Sequence, residues 1–121
     1  MTKNNYSVRG NTIVLNNGKT INFDYPIFEK EVIDIDGIII VVLEIPPRIN
    51  YNNNVFALNL NGEIIWRINF TKEQLFSQEK NCSFVGAFLN KEGQLILFNW
   101  CDTAFIINPK NGEILDRHVT R

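Results

Sequence analysis

The sequence predicts an all-β protein built from antiparallel four-stranded meanders, and three observations predict it. Asn-Gly pairs stand at 17–18, 61–62 and 111–112, spaced 44 and 50 residues apart, an interval typical of repeat arrays. Each pair lies between short runs rich in β-branched and aromatic residues, the signature of strands closed by tight turns. The runs "GIIIVVL" (37–43) and "LILF" (95–98) are apolar at consecutive positions, as expected of strands covered on both faces.

The first element is an N-terminal hairpin over 11–23, "NTIVLNNGKTINF", turning at Asn17-Gly18. A first four-stranded unit follows over about 31–69. "EVIDIDGIIIVVLEI" makes two strands around Asp36-Gly37, and "NVFALNLNGEIIWRI" makes two more around Asn61-Gly62. Short Asn-Gly hairpins call for positive φ at both central residues. Within "EIIWRI", Ile64, Ile65 and Trp66 are expected to fill the space between sheets. The intervening "PPRINYNNN" (46–54) reads as a mobile polar loop, because Pro46-Pro47 cannot continue a central strand. "TKEQLFSQEK" predicts one short helix over 71–79, with Thr71 and Gln74 as a capping box. A second unit over about 82–119 repeats the plan, turning at Glu92-Gly93 and Asn111-Gly112. The whole of 1–121 reads as one domain.

Composition narrows the function. Hydrophobic residues make up 45% and charged residues 21%, with a net charge of −1, so the chain lacks the cationic surface of a generic nucleic-acid binder. Charge is segregated, with +3 over residues 1–23, −5 over 24–44 and +1 over 45–121. No apolar run is long enough to span a bilayer, and "MTKNNYSVRG" has no apolar signal region. The expected location is therefore the cytoplasm, with no membrane partner, and there Cys82 and Cys101 are expected to be reduced. Pairing 82–89 with 94–101 sets these two cysteines opposite each other. They read chiefly as small buried apolar residues and only secondarily as a redox pair.

The phrases "VFALNLNGEIIWRI" and "AFIINPKNGEILDRH" resemble blades of quinoprotein-like β-propellers. That resemblance covers 11–23, 31–69 and 82–119, and it implies an open, incomplete propeller of about two and a half blades, too few to close a ring. It implies no cofactor, since a quinone would need the full ring. No Gly-rich phosphate loop, zinc spacing or calcium loop occurs, so no cofactor and no metal is expected.

The chain also resembles small immunity proteins of contact-dependent growth inhibition systems, compact all-β proteins of about this length. This resemblance implies a non-catalytic, protein-binding role in which a cognate toxin, basic and a nuclease by class, is blocked. The acidic residues Glu29, Glu31, Asp34 and Asp36 suit such a partner. Arg48, Tyr51, Trp100 and Asp102 complete the candidate binding set, as exposed aromatic or charged residues in or beside loops. Two other readings stand beside this one. A half-propeller could serve as an assembly or homo-oligomerisation module, which is the less favoured outcome. An enzyme or small-molecule binder would use Asp116 and His118, which share one strand face at i, i+2.

Overall fold

The structure, a computed structural model, describes residues 5–49, 51–69 and 82–119. Among these described residues, eleven strands form three antiparallel sheets. The first holds β1 (Tyr6–Arg9), β2 (Thr12–Leu15) and β3 (Thr20–Asn22), in that order. The predicted hairpin thus has a third strand, because "YSVR" pairs with β2 from Tyr6↔Leu15 to Arg9↔Thr12. The second sheet runs β4 (Ile33–Ile35), β5 (Ile38–Val42), β6 (Val55–Leu58), β7 (Ile64–Arg67). The third runs β8 (Phe84–Leu89), β9 (Leu95–Asn99), β10 (Thr103–Ile107), β11 (Ile114–Val119). Both four-stranded sheets are therefore meanders with strands in chain order. A single 3-10 turn, Glu29–Glu31, precedes β4; the helix expected over 71–79 lies outside the described residues.

The second sheet is the middle layer. Ile39, Val41 and Leu58 face the first sheet in one core cluster with Ile13 and Leu15. Ile40, Val42 and Ala57 face the third sheet in another, with Phe84, Leu97 and Phe105. All of these are at most 3% exposed, and Ile39–Val42 have no exposure at all. The doubly apolar run "IIIVV" is thus explained by cover on both sides. Trp66 is buried as expected, but Ile64 and Ile65 are exposed at 51% and 40%. β7 is an edge strand, so its neighbours in sequence lack the cover that β5 receives.

The turns depart from the expected geometry in an informative way. Only Asp36-Gly37 has positive φ at both central residues, 50° and 88°, as a two-residue hairpin of the primed kind requires. At the Asn-Gly pairs only the glycine is left-handed: 88° at Gly18, 87° at Gly62 and 78° at Gly112. These are longer loops in which a leading residue organises the turn. Asn59 Oδ1 accepts from the N–H groups of Asn61 and Glu63, and its Nδ2 donates to Glu63 Oε1. Asn90 makes the same three bonds with Glu92 and Gln94. Asn99 repeats the acceptor half toward Cys101 and Thr103, with Asp102 at φ 63° in the glycine position. The repeated unit is therefore Asn-x-x-Gly-Glu/Gln, and the echo heard in "NLNGE" is matched most closely by "NKEGQ".

Glycine in these turns also permits close approach between sheets. A Cβ on Gly112 would strike the Trp66 indole, and one on Gly62 would strike Lys19 and Leu15. Each turn therefore leans on the sheet before it, and the indole Nε1 of Trp66 donates to Pro109 O at 2.7 Å.

Candidate functional site

Three strands lie at sheet edges near one another: β1, the stretch 26–35 that includes β4, and β8. Residues 26–28 continue the β4 edge, with Ile27 bridging Leu43 and Phe28 N donating to Val42 O. The 3-10 turn at 29–31 then lifts the chain off that edge and presents its carboxylates. Together these edges enclose a cleft of about 730 Å³. Val8, Ile27, Phe28 and Val85 give it apolar walls, while Glu29, Glu31 and Glu44 supply carboxylates and Lys30 one ammonium.

Val85 is there because of a β-bulge. The β8–β9 register changes between Phe84↔Asn99 and Gly86↔Phe98, leaving Val85 without an opposite residue, and a bulge of this kind re-aims its side chain. Glu31 Oε1 accepts from Ala87 N at 3.0 Å, which fastens the second sheet to the otherwise open edge of β8. Gly86 makes this reach possible, because a Cβ there would collide with the Phe98 ring and Glu31 Oε1.

Asn54 is the second fastening. It has no solvent exposure. Its Nδ2 donates to Leu43 O and Phe84 O, and its Oδ1 accepts from Phe84 N, all at 2.8 Å. A side-chain amide here stands in for a neighbouring strand, and buried backbone groups of β8 stay paired. Asn52 Oδ1 likewise accepts from Cys82 N at 3.0 Å. The stretch expected to be a mobile polar loop thus ends in an anchored clamp. Nothing in "NYNNN" marks Asn54 apart from its place directly before the apolar strand "VFAL".

Cys82 and Cys101 form a disulfide with a Cα–Cα distance of 5.5 Å. The expectation of reduced thiols is corrected, while the expected facing of the two positions holds. The main β8–β9 ladder is one residue out of the predicted register, and the bulge at Val85 restores it at Phe84↔Asn99. Beside the disulfide, Ile45, Pro47, Ser83, Val85 and Trp100 line a smaller hollow of about 250 Å³. Trp100 itself is 55% exposed.

The remaining candidates fall in several places. Glu29 and Glu31 line the cleft and Trp100 the adjoining hollow. Asp34 instead staples the neighbouring turn, accepting from Gly37 N at 2.8 Å and from Asn5 Nδ2. Asp36 and Asp102 occupy left-handed turn positions, and Arg48 sits exposed just beyond Pro47. Tyr51 packs edge-on against Tyr25 at 5.3 Å, with the Arg67 guanidinium 5.2 Å over its ring. Burial raises the Tyr51 phenol above its ordinary pKa, opposed by Arg67 and supported by Asp24. Asp116 and His118 lie 3.4 Å apart on the edge strand β11 and are about 60% exposed. Glu44, Val85 and Asn54 belong to the site region although the sequence did not single them out.

No group of three or more potential metal ligands occurs among the described residues. No helix among them is long and apolar enough to cross a membrane.

By fold and site, the molecule is an all-β domain of three antiparallel sheets with an acidic, apolar-walled cleft at its strand edges. A family model described as "Domain of unknown function (DUF7957)" matches residues 3–119, and the chain belongs to that family. No curated protein matches the chain.

Proposed function

We propose that this chain is a non-catalytic, protein-binding protein: a bacterial immunity protein that acts in the cytoplasm by blocking a cognate basic toxin, a nuclease by class. The observation that carries this reading is the cleft, in which three carboxylates surround apolar walls beside an exposed tryptophan. Enzymes that cut nucleic acid hold phosphate with cationic surfaces, and a carboxylate-lined face complements such a surface and speeds encounter. The test pairs the protein with the toxin domain encoded beside it. The expected result is a one-to-one complex and loss of nuclease activity; full activity at about tenfold excess of this protein refutes the reading.

The same proposal treats the three sheets as consecutive blades of an open propeller. Support comes from the chain-order meanders and from the middle sheet's position between its two neighbours.

A second reading, the assembly module, draws on one specific observation. The outer face of the third sheet is apolar, with Phe88, Ile96, Phe98 and Ile106 aligned across β8, β9 and β10. The outer face of the first sheet instead carries Ser7, Arg9, Thr12, Thr20 and Asn22 around one apolar residue, Val14. Such a polar face is what a terminal repeat uses to cap an array. Closing a ring by dimerisation would press the apolar face onto the polar one, which makes ring closure by a second copy the weaker version. Sedimentation equilibrium decides: a monomer at about 100 μM removes the homo-oligomer form.

A further inference from the structure

The acidic cleft and the hollow lined by Trp100 adjoin at Val85, which lines both, and together they offer a groove-like surface with two chemically different ends. At one end stand Glu29 and Glu44, neither of them ion-paired among the described residues. Glu31, in contrast, is engaged by Ala87 N. At the other end Ile45, Pro47 and Trp100 form an apolar seat beside the disulfide. The strand edges between them are blunted: Asn54 occupies both backbone groups of Phe84, and Glu31 occupies the N–H of Ala87. A ligand lying here cannot extend the β8 ladder at those residues, so it must be read through its side chains.

We propose that this groove is the docking site for an extended basic segment of a partner protein. Lys or Arg side chains of that segment lie against Glu29 and Glu44, and a large apolar side chain enters the seat under Trp100. The assignment rests on the proposed toxin-binding role for its partner and goes further by fixing the surface and the chemistry it reads. Two features select this occupant. Glu29 and Glu44, without an ion pair among the described residues, flank apolar walls, where a cation is held more firmly than in open water, and Lys and Arg carry apolar stems suited to such walls. The exposed indole supplies the kind of aromatic anchor that dominates protein interfaces.

The groove is tested with three capped pentapeptides, KLKLK, KSKSK and ELELE, titrated against the full chain by tryptophan emission. Trp66 is buried and bonded to Pro109, so a change on binding reports Trp100, and Trp100→Phe should abolish it. KLKLK is expected to shift the emission to shorter wavelength. KSKSK should bind about fivefold more weakly for want of an apolar anchor, and ELELE about tenfold more weakly. The Glu29→Gln/Glu44→Gln variant, which leaves Glu31 in place, should weaken KLKLK about fivefold and flatten its salt dependence. Equal binding of ELELE and KLKLK, or an emission unmoved by millimolar KLKLK, overturns the groove. If toxin neutralisation persists in that case, the immunity role stands and only this surface is wrong. If KLKLK binds but no toxin is neutralised, the groove stands and the immunity role falls.

Discussion

The molecule has two seams between sheets, and they are built differently. Between the first and second sheets the contact is almost wholly apolar, with Ile13, Leu15, Val41 and Leu58 at its centre. Its polar contacts lie at the margin: Asn5 Nδ2 donates to Asp34 Oδ2 and Ile27 N to Gly10 O at 2.9 Å, while Tyr6 Oη donates to Val32 O and Asn17 Nδ2 to Leu60 O, both at 3.3 Å. Between the second and third sheets an apolar core is joined by directional bonds from Asn54, Glu31 and Trp66, at 2.7 to 3.0 Å. Apolar burial attracts without orienting, whereas a buried, fully bonded amide accepts one arrangement only. The oriented seam is the one that sets Val85 between the two ends of the groove, so its polar fastenings position the candidate site.

The largest effect should come from breaking that oriented seam. Asn54→Ala removes three bonds and leaves Phe84 N–H, Phe84 C=O and Leu43 C=O without this partner, a loss of about 4 kcal/mol. Urea unfolding measures it directly. A loss below about 1 kcal/mol would mean the seams are equivalent. Next comes the disulfide, which closes a short loop across β8 and β9 with a sequence separation of 19. The Cys82→Ser/Cys101→Ser variant should lose about 3 kcal/mol, and the wild-type protein in reductant should match it. Alkylation with a maleimide inside the producing cell adds a second readout, since cytoplasm holds thiols reduced. Labelling of both cysteines there would agree with the proposed location and mean that the disulfide is open in that compartment, and protection of both would contradict the location.

Trp66→Phe keeps most of the apolar volume and deletes the Nε1 donor to Pro109 O. A loss of about 1.5 kcal/mol is expected, since one hydrogen bond and part of a ring are removed. Should Trp66→Phe cost as much as Asn54→Ala, packing rather than orientation would govern the seam.

The legible part of this fold was its periodicity. Turn glycines at 18, 62, 93 and 112 mark loops between paired strands, and all four have positive φ. The apolar stretch around residues 38–42 announces the covered middle strand. What single residues do was harder to read, for definite reasons. Ile64 and Ile65 look like core residues but lie on the edge strand β7, and edge position depends on the order of strands in space. Asn54 looks like one more polar loop residue, and its role exists only because Phe84, thirty positions away, needs its backbone groups paired. Of the acidic block, Glu29 and Glu31 reach the cleft while Asp34 and Asp36 are used in building turns. Charge count alone cannot separate those two uses.

The smallest expected effect belongs to the apolar seam and appears only in alkali. Burial, then the Asp34 and Glu29 carboxylates, raise the Tyr6 phenol above its ordinary value of 10.0. A group whose folded pKa lies above its unfolded one favours folding while protonated. Its contribution is complete below pH 10 and is lost as pH climbs from there through the folded value. Wild-type stability should therefore fall as pH climbs above 10, and Tyr6→Phe should fall less steeply, although it starts slightly lower for want of the bond to Val32 O. Tyr51 shifts in the same direction, so the variant removes part of the slope and leaves the rest. Asn54 does not titrate, and its fastening should be indifferent to the same change. Equal slopes for wild type and Tyr6→Phe would assign the alkaline loss elsewhere and leave the first seam without a titrating group of consequence.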